Sequence, residues 1–317
     1  MTTVAKLMQA GTWQACVQAL HAHVQQAAQG HCLVWVNPAQ TDVFADNASA
    51  QAQRMHVPIV HPRFDVQFAP YLVALDLSAS ADCDVLQQSV QTAYEAWDMP
   101  SLQACAGQAI GGWIICNSSP QKLASYWASQ IHLHTVGGLT KLLRFHDPSV
   151  REWLWPALTA QQQTQLLGPA QALIGINRQQ RVMVHTPPSP LEPANHAKLQ
   201  LISQQWADVE DYAAVHAAWL AQAGLEPAQW RHQLPVNWQL SIFKALQKAT
   251  QHGVTDEHDR ALFAQHALQL GPDFHSHSIL KNVWLKTREG NFYGGAIEAV
   301  TGQPAAQLQK YLNAHTS

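Results

Sequence analysis

The chain has 317 residues, of which 47% are hydrophobic and 12% are charged, and its formal net charge is −3. This length is enough for roughly one to three domains with a substantial core. The chain lacks the excess of basic residues that binding to a phosphate backbone requires, so we expect no nucleic-acid partner.

The cysteine and hydropathy patterns indicate the cellular compartment of the protein. The 5 cysteines are scattered and form no C-x-x-C pair, which predicts neither a disulfide framework nor a zinc knuckle. The N-terminal residues lack the apolar core of a secretory signal, and no apolar run approaches the about 20 residues that a membrane helix needs. We therefore expect a soluble, cytoplasmic protein without membrane insertion.

The first part of the chain mixes strand and helix patterns. Short apolar runs bounded by turn residues predict buried strands at 32–36, 68–76 and 111–116. Amphipathic patterns predict helices at 13–29, 85–97 and 120–130. Two pairs of alternating runs predict hairpins, at 131–146 around Gly137-Gly138 and at 172–185. The expected fold is an α/β (α+β) N-terminal lobe with a mixed sheet and flanking helices.

The pattern changes after residue 185. Residues 186–193, TPPSPLEP, contain four prolines, which predicts an extended connector. From Leu199 to Leu220 apolar residues recur at helical spacing, which predicts one long amphipathic helix. More helices are predicted at 236–251, at 256–270 with Thr255 as N-cap, and after Pro304. These observations predict two domains, 1–187 and an all-α lobe at 188–317.

The stretch LLRFHDPSVREWL at 142–154 places several polar side chains beside a proline. Alternation along a strand would put Arg144 and His146 on one face. Asp147 precedes Pro148, and aspartate at the N-cap followed by proline at the first helical position is a common helix start. We expect Arg144 to hold this corner by pairing with Asp147, Glu152 or backbone carbonyls. An aspartate that accepts backbone N–H groups is poorly placed to act as a base.

The next segment carries similar local signals. Thr159 with Gln162 three positions later predicts a capping box. Gly168-Pro169 predicts the end of that helix.

Eighteen histidines raise the alternative of a metal site. On a strand His132 and His134 would point to one face and could supply two zinc ligands, although no third ligand is identifiable. His275 and His277 form a similar pair. No nucleophile elbow, phosphate-binding loop or dinucleotide fingerprint is legible. We expect no enzymatic activity, no cofactor and no metal, with a metal-dependent hydrolase using His132 and His134 as the alternative function.

The twelve tryptophans are candidates both for the core and for binding hot spots. Trp206 lies within the apolar stripe of the predicted long helix, so we expect it in the core. Trp219 lies just off that stripe, and we predict it as a contact residue for a partner.

One motif carries a resemblance to a known family. Residues Arg144, Phe145, His146, Asp147, Pro148, Ser149 and Val150, with Gly168-Pro169 downstream, resemble the signature of type VI secretion effector chaperones, also called adaptors. That family, long catalogued as a domain of unknown function, usually has tyrosine where His146 stands and arginine where Ser149 stands. Weaker matches are found at Pro70-Tyr71 and at Trp113.

The resemblance implies a specific function. Proteins of this kind are non-catalytic: they bind a toxin, the effector, in the donor cytoplasm and help to load it onto the VgrG spike protein. The motif residues would then be structural or partner-facing, and the helical lobe would be the region that binds the cargo.

Overall fold

The structure, a computed structural model, describes residues 12–26, 31–61, 64–104, 107–134, 137–138, 140–189, 198–226, 230–235 and 238–315. The chain divides into two compact units, Met1–Trp206 and Ala207–Ser317. The predicted domain boundary after residue 187 remains a prediction, since residues 190–197 lie outside the described part.

The first unit is built on antiparallel strands. Those of the described residues are β1 (His31–Val36), β2 (Arg54–His56), β3 (Tyr71–Leu75), β4 (Ile110–Cys116), β5 (His132–His134), β6 (Thr140–Leu142), β7 (Ala170–Ile176) and β8 (Val182–His185). Six of them form a sheet in the order β2-β3-β1-β4-β7-β8, and β5 pairs with β6 in a separate ribbon. Every pair is antiparallel.

The helices up to Glu210 flank this sheet or follow it in the chain. They are α1 (Trp13–Gln26), α2 (Ala48–Ala52), α3 (Ser80–Glu95), α4 (Met99–Gln103), α5 (Pro120–Ile131), α6 (Pro148–Ala157), α7 (Ala160–Leu167) and α8 (Ser203–Glu210). All seven residues of β4 are buried. A strand buried on both faces reads as a continuous apolar run, which explains why IGGWIIC has no polar alternation.

Both predicted hairpins are present, but the strand of the first is shorter than expected. Strand β6 ends at Leu142, and residues 145–146 form a turn. Arg144 is therefore exposed while His146 is buried, so the prediction that they share a strand face is wrong. The turn forms because the chain must bend to begin α6 at Pro148.

The second unit is helical. Its remaining α-helices are α9 (Tyr212–Leu225), α10 (Trp230–Gln233), α11 (Trp238–Gln251), α12 (Glu257–Leu270), α13 (Lys281–Arg288), α14 (Tyr293–Thr301) and α15 (Leu308–His315). The fold class is thus confirmed: a sheet with flanking helices, followed by a helical C-terminal region.

The single long helix predicted from Leu199 to Leu220 is wrong, because α8 and α9 are separated at Asp211. The Asp211 carboxylate does not cap α9. It instead accepts from Arg260, with Nη2 2.6 Å from each carboxylate oxygen and Nε 3.0 Å from Oδ1. This ion pair joins the junction of α8 and α9 to α12, across 49 residues of sequence.

The N-cap of α12 also differs from the prediction. Asp256, not Thr255, caps the helix by accepting from the backbone N–H groups of His258 and Asp259. A carboxylate at this position also complements the helix dipole. Among the described residues, none of the helices combines the length and the apolar character needed to cross a membrane.

Candidate functional site

The corner, defined as residues Arg144–Arg151, begins with the predicted helix cap. Asp147 has φ −76° and ψ 118°, and its carboxylate accepts from the Ser149 backbone N–H at 2.9 Å. The Arg144 guanidinium lies 3.5 Å from the second carboxylate oxygen, and its side chain is 51% exposed. Burial raises the pKa of Asp147, while Arg144 and the Ser149 hydrogen bonds oppose that rise. Asp147 thus serves as the N-cap of α6, and the predicted pair with Arg144 is present but long.

The cation that holds the corner is Arg151, which the sequence analysis did not single out. Its side chain is buried, and its two terminal nitrogens donate to the Gly111 carbonyl at 2.7 Å and to the Phe145 carbonyl at 3.2 Å. Burial lowers the pKa of the guanidinium to about 10, so it stays charged at neutral pH. Arg151 therefore links the start of β4 to the corner through backbone acceptors.

Glycines on two strands make room for this guanidinium. A Cβ atom at Gly175 would lie 2.7 Å from Arg151 Nη2. At Gly112 it would lie 2.3 Å from the Ile174 carbonyl oxygen and 3.4 Å from the same nitrogen. Two features of the sequence could have indicated this buried arginine. One is the doubled glycine in a buried strand, and the other is an arginine four residues after a helix cap. Ser149, where the resembling family usually has arginine, is itself buried.

Two buried histidines, one in the corner and one on β8, are uncharged at neutral pH. Burial, with Arg144 and Arg151 nearby, lowers the pKa of His146 to about 3. Burial, with Arg151, lowers the pKa of His185 to about 3, and its ring lies 4.4 Å from that of Trp155. A general base works best with a pKa near the operating pH. These side chains are therefore poorly matched to proton abstraction near pH 7.

The motif aromatics belong to the core of the first unit. The Trp35 and Trp127 rings stack at 4.0 Å, and the Phe145 ring packs edge-on against both, at 5.2 and 5.8 Å. Trp113 is buried and donates from Nε1 to the Ser89 hydroxyl at 2.8 Å. Packing of this kind supplies large apolar burial and fixes the ring orientations.

Tyr71 and Pro70 are also engaged internally. Tyr71 is fully buried, its hydroxyl donates to Asp42, and the Arg54 guanidinium lies 3.8 Å from its ring centre. Burial and Asp42 raise the pKa of Tyr71. The Pro70 carbonyl accepts from the Val57 N–H at 2.8 Å.

A buried ion pair lies directly after the corner in the chain. Arg178 Nε lies 2.7 Å from a Glu152 carboxylate oxygen, and the two side chains are 0% and 8% exposed. The Arg178 guanidinium lies 4.7 Å from the centre of the Trp153 ring and 5.4 Å from that of Trp97. This cation is enclosed by the protein rather than presented to a ligand.

The predicted capping box and helix stop are both present. Thr159 accepts from Gln162 N at 3.2 Å, and the Gln162 amide oxygen accepts from Thr159 N at 2.9 Å. Gly168 ends α7 with φ +59°, and a side chain there would collide with the Tyr126 ring. The Pro169 carbonyl accepts from the Cys116 thiol at 3.4 Å. These motif residues shape the backbone.

Two further predictions concern Trp219, as a contact residue, and the pair His132 and His134, as metal ligands. Trp219 is fully buried and so belongs to the core in this structure, while its predicted contact with a partner stays a prediction. The buried residues of α9, which include Val215, Ala218 and Trp219, do not continue the stripe predicted from the sequence. His132 lies on β5, half-buried, and the side chain of His134 is outside the described part. Among described residues, no group of three or more His, Cys, Asp or Glu side chains is arranged to hold a metal ion.

In the first unit the Asp147 carboxylate and the Arg151 guanidinium both bind the backbone of the corner. Residues 64–165, which contain the corner, match the profile of a protein family described as a domain of unknown function (DUF4123). That family is associated with adaptors of type VI secretion effectors. No curated protein and no solved structure matches the chain.

Proposed function

We propose that this protein is a non-catalytic cytoplasmic adaptor that binds a type VI secretion effector and helps to load it onto the VgrG spike. The observation that carries the proposal is the family match over residues 64–165, because the matched family is associated with effector adaptors. The matched segment includes the motif on which the resemblance in the sequence rests.

The chemistry of the corner supports a binding role over a catalytic one. Asp147 accepts from the backbone, Arg151 donates to two backbone carbonyls, and Glu152 pairs with Arg178. Groups committed in this way are structural, whereas an acid–base site presents its groups to a substrate. His146 and His185 are neutral and buried.

Co-purification tests the proposal. The full chain, carrying an affinity tag, is expressed with the toxin and the VgrG protein encoded beside its gene. We expect a complex with the toxin that survives size-exclusion chromatography, and a higher soluble yield of the toxin. An unrelated toxin from a different secretion cluster serves as the control and should not co-elute. If the neighbouring toxin remains insoluble or elutes alone, the adaptor role is wrong.

A further inference from the structure

Helix α13 of the second unit presents an apolar residue between charges. Its inner face is formed by Val283, Trp284 and Thr287, which are buried. Residues three and four apart share a helix face, so Lys281, Leu285 and Arg288 lie together on the outer face. Leu285 is 56% exposed.

A tight cap brings a second exposed apolar side chain to the end of this helix. The Gly290 N–H donates to the Thr287 carbonyl at 3.0 Å, and the Asn291 N–H donates to the Lys286 carbonyl at 3.1 Å. This pair of bonds is a Schellman motif. The next residue, Phe292, is 69% exposed.

Buried contacts hold the backbone beside Leu285 and Phe292 in place. Tyr293, directly after Phe292, is fully buried, and its N–H donates to the Asp259 carboxylate at 2.6 Å. The Trp284 ring stacks on the Tyr293 ring at 5.6 Å with an interplanar angle of 13°. Leu285 directly follows Trp284, and Phe292 directly precedes Tyr293. Both exposed apolar residues are therefore next in the chain to a buried, packed aromatic residue.

The segment 281–292 that carries this surface is itself basic, with three cations and one carboxylate. In the described part of the chain no ion pair is formed by Lys281, Lys286 or Arg288. Within residues 281–292 the one acidic residue is Glu289. Burial lowers the pKa of His252 to about 4, and of the residues of this segment Arg288 contributes to that shift. A partner with carboxylates would gain from this field.

We propose that the α13 face, defined as Lys281, Leu285, Lys286, Arg288 and Phe292, docks an acidic amphipathic segment of the effector. This inference rests on the proposed adaptor function and identifies the surface and the chemistry of the cargo segment. Two exposed apolar residues, flanked by cations that form no ion pair among the described residues, match a helix with apolar residues on one side and carboxylates beside them. An anionic membrane is the weaker match, since recognition of such lipids typically uses clusters of about 4–8 basic residues.

The first test uses the complex of the full chain with its effector. Leu285→Ala/Phe292→Ala and Lys281→Glu/Arg288→Glu should each weaken the complex at least tenfold, measured by biolayer interferometry. Leu225→Ala and Lys310→Glu are matched controls, since Leu225 is 73% exposed on α9 and Lys310 is exposed on α15; both should bind like the unaltered chain. If the unaltered chain binds the effector and both face variants bind as tightly, this inference is overturned while the adaptor function stands.

The second test does not need the effector. A fluorescein-labelled helical peptide with Leu at i and i+4 and Glu beside them should bind the full chain at least tenfold more tightly than the same peptide with Glu replaced by Lys. The binding should weaken in Leu285→Ala/Phe292→Ala and at higher salt. Equal binding of the two peptides, no binding of the acidic one, or binding to phosphatidylserine vesicles through Leu285 instead would each overturn the assignment, whatever the outcome of co-purification.

Discussion

Two arginines, one in each unit, differ in what they bind. In the corner of the first unit Arg151 is buried, and both of its terminal nitrogens donate to backbone carbonyls. On the α13 face of the second unit Arg288 is exposed to solvent and forms no ion pair among the described residues. The two regions have comparable residue types, a cation beside apolar side chains. In the corner the groups bind the chain itself and contribute stability. On the α13 face Lys281 and Arg288 are exposed to solvent and therefore accessible to a partner. The difference separates the residues that hold the fold from those expected to bind cargo.

Replacing Arg151 with Met should cause the largest loss of stability. It leaves the Gly111 and Phe145 carbonyls without their donor, and two buried acceptors left unpaired cost about 4 kcal/mol together. Urea unfolding followed by tryptophan fluorescence measures this loss. Arg144→Met is the matched control, since that side chain is 51% exposed, and it should cost less than about 0.5 kcal/mol. Equal losses in the two variants would contradict the assignment of Arg151 as the cation that holds the corner.

Acid should destabilise the first unit through His146 and His185. Because the pKa of each is lowered to about 3 in the fold, the unfolded chain takes up protons first as the pH falls. The stability is fully present above the ordinary value of about 6.5 and is lost progressively below it, by up to about 1.4 kcal/mol per pH unit for each histidine.

Unfolding free energies measured from pH 7 to pH 4.5 test this linkage. His185→Phe should lower the slope by the share of one histidine, a difference of about 3 kcal/mol accumulated by pH 4.5. A His185→Phe slope that matches that of the unaltered chain would mean that His185 is protonated in the fold.

A pair of glycine substitutions should have opposite signs. A methyl group at Gly175 would lie 2.7 Å from Arg151 Nη2, so Gly175→Ala should destabilise by about 2 kcal/mol through overpacking. Gly295 lies in α14 with nothing within 4 Å of the added atom, so Gly295→Ala should stabilise by about 0.5–1 kcal/mol through helix propensity. Thermal melts of both variants check the prediction. A neutral Gly175→Ala would show that the guanidinium has room to move.

The parts of this structure that sequence predicted are those governed by local chemistry. The Asp147 cap, the Thr159–Gln162 box and the Gly168 stop each depend on residues within a few positions of one another. Such contacts follow from residue type and spacing, which is why both hairpins and the fold class could also be predicted.

The parts that sequence missed depend on distant residues. Arg151 is buried because Gly112 and Gly175, on two neighbouring strands, leave space for it. The Asp211 carboxylate binds Arg260, 49 residues away, instead of capping α9. The buried residues of α9, which include Trp219, do not continue the predicted stripe. A one-dimensional pattern does not encode these pairings.

The most direct test of this account compares stability and effector binding in one variant, Leu285→Ala/Phe292→Ala. Both side chains are exposed, so the free energy of unfolding should change by less than about 0.5 kcal/mol while the affinity for the effector falls at least tenfold. An affinity that stays unchanged, or one that falls only together with the unfolding free energy, would contradict the assignment of binding to the α13 face.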